Sequence, residues 1–148
     1  MDVSFNELEA RVKKAARGAG LPWGLAEDFA KVIVAVAQKD HISGTWVVDF
    51  LLHPHACDWL KELTYELDMH SSPRPRPANV PAQMDPVWEG FEIRYLQLSG
   101  GKRYPPRLRA TIDSELWLKL EKLEFQTYAP ESDESRLKGA GAGVNDND

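Results

Sequence analysis

Phe91-Glu-Ile-Arg-Tyr-Leu-Gln-Leu98 decides the fold class of this chain. Phe91, Ile93, Tyr95 and Leu98 alternate with Glu92, Arg94 and Gln97 over most of the run, which is the period of a half-buried strand. Ser99-Gly100-Gly101-Lys102 follows as a turn signal, and Leu108 to Ile112 reads as the return strand. The pair predicts a β-hairpin over 90–99 and 107–112. Pro105 and Pro106 confine the start of the return strand to an edge. Arg94, Lys102, Arg103, Arg107 and Arg109 make this hairpin basic, which reads as a solvated strand face or an anion-steering surface.

Upstream of the hairpin the pattern is helical. Ser4 and Glu7 form a capping-box pair, with Val3 and Leu8 placed as a hydrophobic staple. Leu8, Val12, Ala15, Ala16 and Ala19 then make an alanine-rich stripe that lets a neighbour pack closely. Gly18 and Gly20 end this helix, predicted over 4–18. Pro22 suits the first turn of a second helix, 22–39, with Leu25, Phe29, Val32, Ile33 and Val36 on its buried face. Shorter helices are predicted over 45–52 and 54–68. His70 to Pro86 holds five of the ten prolines and no apolar period, so it reads as an extended linker. After the hairpin, Leu116, Trp117, Leu120 and Leu123 predict a helix over 114–128, with a strand as the competing reading.

The expected architecture is therefore α+β in a single domain, 1–148. It comprises a helical lobe (1–69), a proline-rich linker (70–86) and an α+β lobe (87–148) with a glycine-rich end. The length of 148 residues and 43% hydrophobic content support a folded core. A net charge of −5 argues against general nucleic-acid binding. Cys57 is the lone cysteine, so an internal disulfide and a four-cysteine zinc site are excluded. With no secretory signal and no membrane-spanning stretch, the expectation is a soluble, cytoplasmic protein.

The glycine-rich end, Ser135-Arg-Leu-Lys-Gly-Ala-Gly-Ala-Gly143, is the leading site candidate. Gly139, Gly141 and Gly143 allow backbone amides to approach an anion closely, Arg136 can add a forked contact, and Ser135 a hydroxyl. A disordered terminus or a close-packed segment is the bland alternative. The pattern matches neither the phosphate loop nor the dinucleotide fingerprint. The loop around Arg17 and Trp23, flanked by glycines, could stack a ligand, although such a tryptophan more often plugs a corner between helices. His53, His55 and Cys57 would share a face on a strand and could hold a metal. Pro54 puts them at a helix start instead, where i and i+2 diverge. Asp146 and Asp148 could bind Mg²⁺ or Ca²⁺ through oxygen ligands, but a solvated acidic terminus is the default reading of such a cluster, so no metal site is assigned.

Two stretches carry a family resemblance. Lys14-Ala-Ala-Arg-Gly-Ala-Gly-Leu-Pro-Trp-Gly-Leu-Ala-Glu27 resembles the N-terminal signature of an uncharacterised bacterial domain-of-unknown-function family. Thr127 to Asp148, with Ser-Arg-Leu-Lys-Gly-Ala-Gly-Ala-Gly-Val-Asn-Asp-Asn-Asp at its end, resembles that family's C-terminal signature. The resemblance implies one full-length domain and brings no activity or cofactor with it. The opening helix pair, 3–39, is also similar to the start of a nicotinamide-dependent malate/lactate dehydrogenase family. The Ser-His-Gly step expected after it is absent.

The functional expectation is a binding protein or accessory enzyme for an anionic small molecule, with Arg17, Trp23, Ser135, Arg136, Gly139, Gly141 and Gly143 as ligand contacts. The alternative is a structural or interaction protein, homo-oligomeric, in which the glycine-rich end is a packing element. The expected partners exclude nucleic acid and membrane. The cofactor, the catalytic residues and whether the chain is an enzyme stay open.

Overall fold

The computed structural model describes residues 1–101 and 107–127. Over these the chain runs β1 (Asp2–Val3), α1 (Phe5–Gly18), α2 (Trp23–Lys39), α3 (Trp46–Leu51), α4 (Ala56–Asp68), a 3-10 turn (Ala82–Met84), α5 (Asp85–Leu98), β2 (Ala110–Thr111) and α6 (Ser114–Thr127). The architecture is mostly helical with one small two-stranded antiparallel sheet, which is compatible with α+β.

The capping box of α1 forms as its residues dictate. The Glu7 backbone N–H donates to Ser4 Oγ at 3.1 Å, and the Ser4 backbone N–H donates to Glu7 Oε2 at 2.7 Å. These bonds favour the charged carboxylate and hold Glu7 below the ordinary carboxylate range. The alanine-rich stripe does what small residues allow, and α1 packs between α2 and α6. Its Leu8, Val12, Ala15 and Ala16 are fully buried. Polar contacts rim the α1–α6 seam: Arg11 pairs with Glu121 and Glu124 and stacks over Trp117, while Lys14 pairs with Glu124.

Gly18 corrects the reading of its role. It is the last residue of α1, and its missing side chain makes room for a neighbouring backbone. A Cβ there would lie 1.8 Å from the Leu123 carbonyl oxygen of α6. The left-handed turn falls to Gly20 alone, at φ 103°. A similar approach occurs at Gly90, where a Cβ would meet Val32 Cγ1 at 2.5 Å and α5 crosses α2.

The largest departure from expectation lies at 85–98. The predicted strand over 90–99 is helical, as part of α5. Pro86 sits in the first turn of this helix, where its missing N–H has no intrahelical partner to lose. The apolar period misleads because α5 is covered on more than one side. Val87, Trp88 and Phe91 are buried, and so are Gly90 and Ile93. A helix buried broadly has no single stripe, so its residues can mimic alternation over a short window. Leu98, counted among the inward residues, is 58% exposed.

The predicted return strand shrinks accordingly. Only Ala110–Thr111 is extended, and it pairs antiparallel with Asp2–Val3, Asp2 opposite Thr111 and Val3 opposite Ala110. Ile112 then bridges in parallel to Ile42. Arg94 belongs to α5, and Arg109 Nη2 donates to the Asp2 carbonyl oxygen at 3.3 Å, so the basic hairpin does not form. The predicted linker also ends earlier, because the 3-10 turn and α5 occupy its last residues and bury Val80 and Met84.

One apolar cluster joins residues from Val3 to Leu123. At its centre Phe50 of α3 stacks on Phe29 of α2, with centroids 5.3 Å apart and planes 9° apart. Trp59 of α4 and Trp88 of α5 each approach Phe50 at 6.0 Å.

Candidate functional site

The α1–α2 corner is built by its own sequence. Leu21 N–H donates to the Ala16 carbonyl at 3.0 Å and Gly20 N–H to the Arg17 carbonyl at 2.9 Å, a Schellman closure of α1. Leu21 is buried, and Pro22 leads directly into α2. This sharp turn brings Trp23 back over the last turn of α1. The Arg17 guanidinium carbon lies 4.9 Å from the centroid of the Trp23 ring, a cation–π arrangement. Arg17 Nη1 donates to the Leu21 carbonyl oxygen at 2.7 Å. Arg17 Nε is buried and has no hydrogen-bond partner among the described residues. Trp23 is 51% exposed, so it does not plug the corner but leaves much of its indole open.

The end of α6 reaches the same place. Thr127 Oγ1 donates to the Lys14 carbonyl oxygen at 3.1 Å and lies 3.3 Å from where a Gly18 Cβ would be. Arg17 and Trp23 thus lie side by side at this corner. Ser135, Arg136, Gly139, Gly141 and Gly143 lie outside the described residues, as do Asp146 and Asp148.

A second polar cluster escaped sequence reading. Asp113 precedes α6; its Oδ1 lies 2.9 Å from His41 Nε2, and its Oδ2 accepts the Gly44 backbone N–H at 2.7 Å. The Gly44 amide and then the His41 ring hold the Asp113 carboxyl below its ordinary range. Gly44 has φ 76°, a left-handed position suited to glycine, and this turn aims its amide. His41 also borders a hollow of about 150 Å³ with Lys39, Ser43, Trp46 and Glu89. The sequence alone does not pair these residues, because their meeting depends on the Ile42–Ile112 bridge.

The sign of the Asp113 shift sets a pH dependence. A carboxylate with a depressed folded pKa contributes stability fully above its unfolded value, near 3.9, and loses it as pH falls through the folded value. Urea midpoints should therefore differ most between wild type and Asp113→Asn above about pH 5, and converge on acidification below about pH 4. A constant difference across that window would show that the carboxylate charge is irrelevant.

His53, His55 and Cys57 do not converge as ligands. His55 is the residue before α4, and its N–H donates to His53 Nδ1 at 3.1 Å. The His53 ring packs on Trp59 with centroids 4.4 Å apart. Among the described residues no three His, Cys, Asp or Glu side chains are grouped to hold a metal ion. Nor is any described helix long and apolar enough to cross a membrane.

No curated protein and no solved structure shows significant similarity to this chain. Residues 3–46, covering α1, the corner, α2 and the His41–Gly44 turn, match the family described as protein of unknown function (DUF3726).

Proposed function

We propose that this protein binds an anionic small molecule at the Arg17–Trp23 corner, as a binding protein or an accessory enzyme. The carrying observation is the state of Arg17. Nη1 is committed to Leu21, whereas Nε is buried and unpaired among the described residues. A buried donor without an acceptor is costly, and a carboxylate or phosphate oxygen is its natural complement. The open face of Trp23 beside it offers a stacking surface for the ligand's apolar part.

The glycine-rich segment supplies the rest of this site. Ser135 follows Thr127 by eight residues, which extend to at most about 29 Å. Ser135, Arg136 and the amides of Gly139, Gly141 and Gly143 can therefore return to the corner where Thr127 sits. In this reading the protein works in a reducing bacterial cytoplasm, consistent with a lone unpaired Cys57.

The contact between Thr127 and Lys14 favours a second reading, in which the segment itself gives Arg17 its acceptor and serves as packing, within one chain or across a homo-oligomer. A thermal-shift series with inorganic phosphate, citrate and malonate separates the two. A ligand at 100 times its dissociation constant should stabilise by about 2.7 kcal/mol. That gain should vanish in Arg17→Ala and in Arg136→Ala. No shift with any anion, together with a large drop in melting temperature on removal of 131–148, would establish packing.

A further inference from the structure

Between α4 and α5 the chain reads Ser71-Ser-Pro-Arg-Pro-Arg-Pro-Ala78. Proline fixes φ near −65° at 73, 75 and 77, and each residue preceding a proline is steered away from the helical region. The strap is extended by construction, and residues 71–77 carry no regular secondary structure. No residue from 71 to 79 is buried. Ion pairs tie it down. Glu66 Oε2 accepts the Arg74 backbone N–H at 3.0 Å, and Glu66 Oε1 pairs with Arg74 Nε at 2.9 Å. Arg76 pairs with Asp85 and donates to the Val80 carbonyl oxygen.

Beneath the strap lie Trp59 and Trp88, edge to face at 5.8 Å. The fit is incomplete on both sides. One hollow of about 180 Å³ is bounded by the two tryptophans, Glu62, Glu66, Pro75 and Pro77. Another of about 340 Å³ is bounded by the strap with Asp85, Trp88, Glu89 and Glu92. Glu62 and Glu66 thus border both tryptophans, and Asp85, Glu89 and Glu92 border Trp88, facing a strap whose charges are both arginine.

We propose that the Trp59–Trp88 groove is a recognition surface for extended proline–arginine peptides presented by another protein, held closed by the chain's own strap. Aromatic grooves take polyproline segments because the ligand is already ordered and proline rings pack on indole faces. The carboxylate rim selects arginine by forked, charge-assisted bonds. The strap spells out the required chemistry, and each of its ion pairs has one largely exposed partner, so water and a competitor can reach and replace it. Because the strap is tethered, it competes at high effective concentration, so the closed protein binds such a peptide poorly until the strap is loosened.

The test titrates the capped octapeptide Ser-Ser-Pro-Arg-Pro-Arg-Pro-Ala into wild type and into Arg74→Glu/Arg76→Glu, following the indole N–H resonances of Trp59 and Trp88. The variant should show saturable shifts with a Kd at least tenfold below that of wild type. Binding should weaken with added salt and be absent for a peptide with both arginines replaced by glutamate. A folded variant, judged by helical circular dichroism and cooperative melting, that shows no saturable shift would overturn the proposal. Should the double variant fail to fold, Arg74→Gln is titrated instead and judged by the same outcomes. Dimerisation of the loosened variant by strap exchange, with no peptide binding, would make a second copy the occupant and equally overturn it.

Discussion

Phe50→Ala is expected to lower the unfolding free energy by about 3–5 kcal/mol. Phe50 is fully buried and stacks on Phe29, while Trp59 and Trp88 close over it. It therefore joins α2, α3, α4 and α5 at one point. Its own helix spans only six residues, too short to be stable without such an anchor. Truncation would leave a cavity walled by rigid aromatic rings, which cannot collapse to fill it. Domains of this kind are stable by about 5–15 kcal/mol, so much of the total is at stake. Urea unfolding followed by circular dichroism and tryptophan fluorescence measures the loss. A change below about 1 kcal/mol would show that the aromatic cluster is not the centre of the core.

The second large effect is expected from Gly18→Ala, which should destabilise by about 3 kcal/mol. In an ordinary helix the same change is favourable by about 1 kcal/mol, because alanine loses less backbone entropy. Here the added Cβ would sit 1.8 Å from the Leu123 carbonyl oxygen and 2.8 Å from its carbon. Backbone cannot rotate out of the way as a flexible side chain can, so α6 must move off α1 as a unit. Gly24→Ala is the matched control, since beyond its chain neighbours and its own helix backbone nothing lies within 4 Å of its Cβ position. Equilibrium unfolding should therefore give opposite or sharply unequal effects for the two substitutions. Faster amide hydrogen exchange along α6 in the Gly18 variant would locate the damage. Equal, mild effects would contradict the close crossing.

These two residues also show what could be read in the sequence. The helices at the N-terminal end were legible because their signals are local: a capping box, a proline at a helix start, a single apolar face. The corner of Arg17 and Trp23 was legible for the same reason, since glycine and proline fix the turn within a few residues. Gly18 looks like a helix ender in the sequence because its true partner, Leu123, is far away along the chain. α5 looks like a strand in the sequence because burial on several sides erases the one-face period, and Pro86, its first-turn proline, is continuous with the prolines before it. The His41–Asp113 pair was invisible because only the meeting of Ile42 with Ile112 brings the two residues together. Chemistry written in adjacent residues could be read; chemistry assembled by chain crossings could not.

The crossing of α1 over α6 also constrains how the protein is made. α1 emerges early from the ribosome, yet the surface that accepts Gly18 is synthesised roughly a hundred residues later. The strand Asp2–Val3 waits equally long for Ala110–Thr111. Until then the alanine-rich stripe lacks one of the two helices that cover it, and a nascent chain stalled before α6 carries an incomplete seam. Translation arrest or premature termination before α6 should therefore yield a chaperone client and not a smaller folded protein.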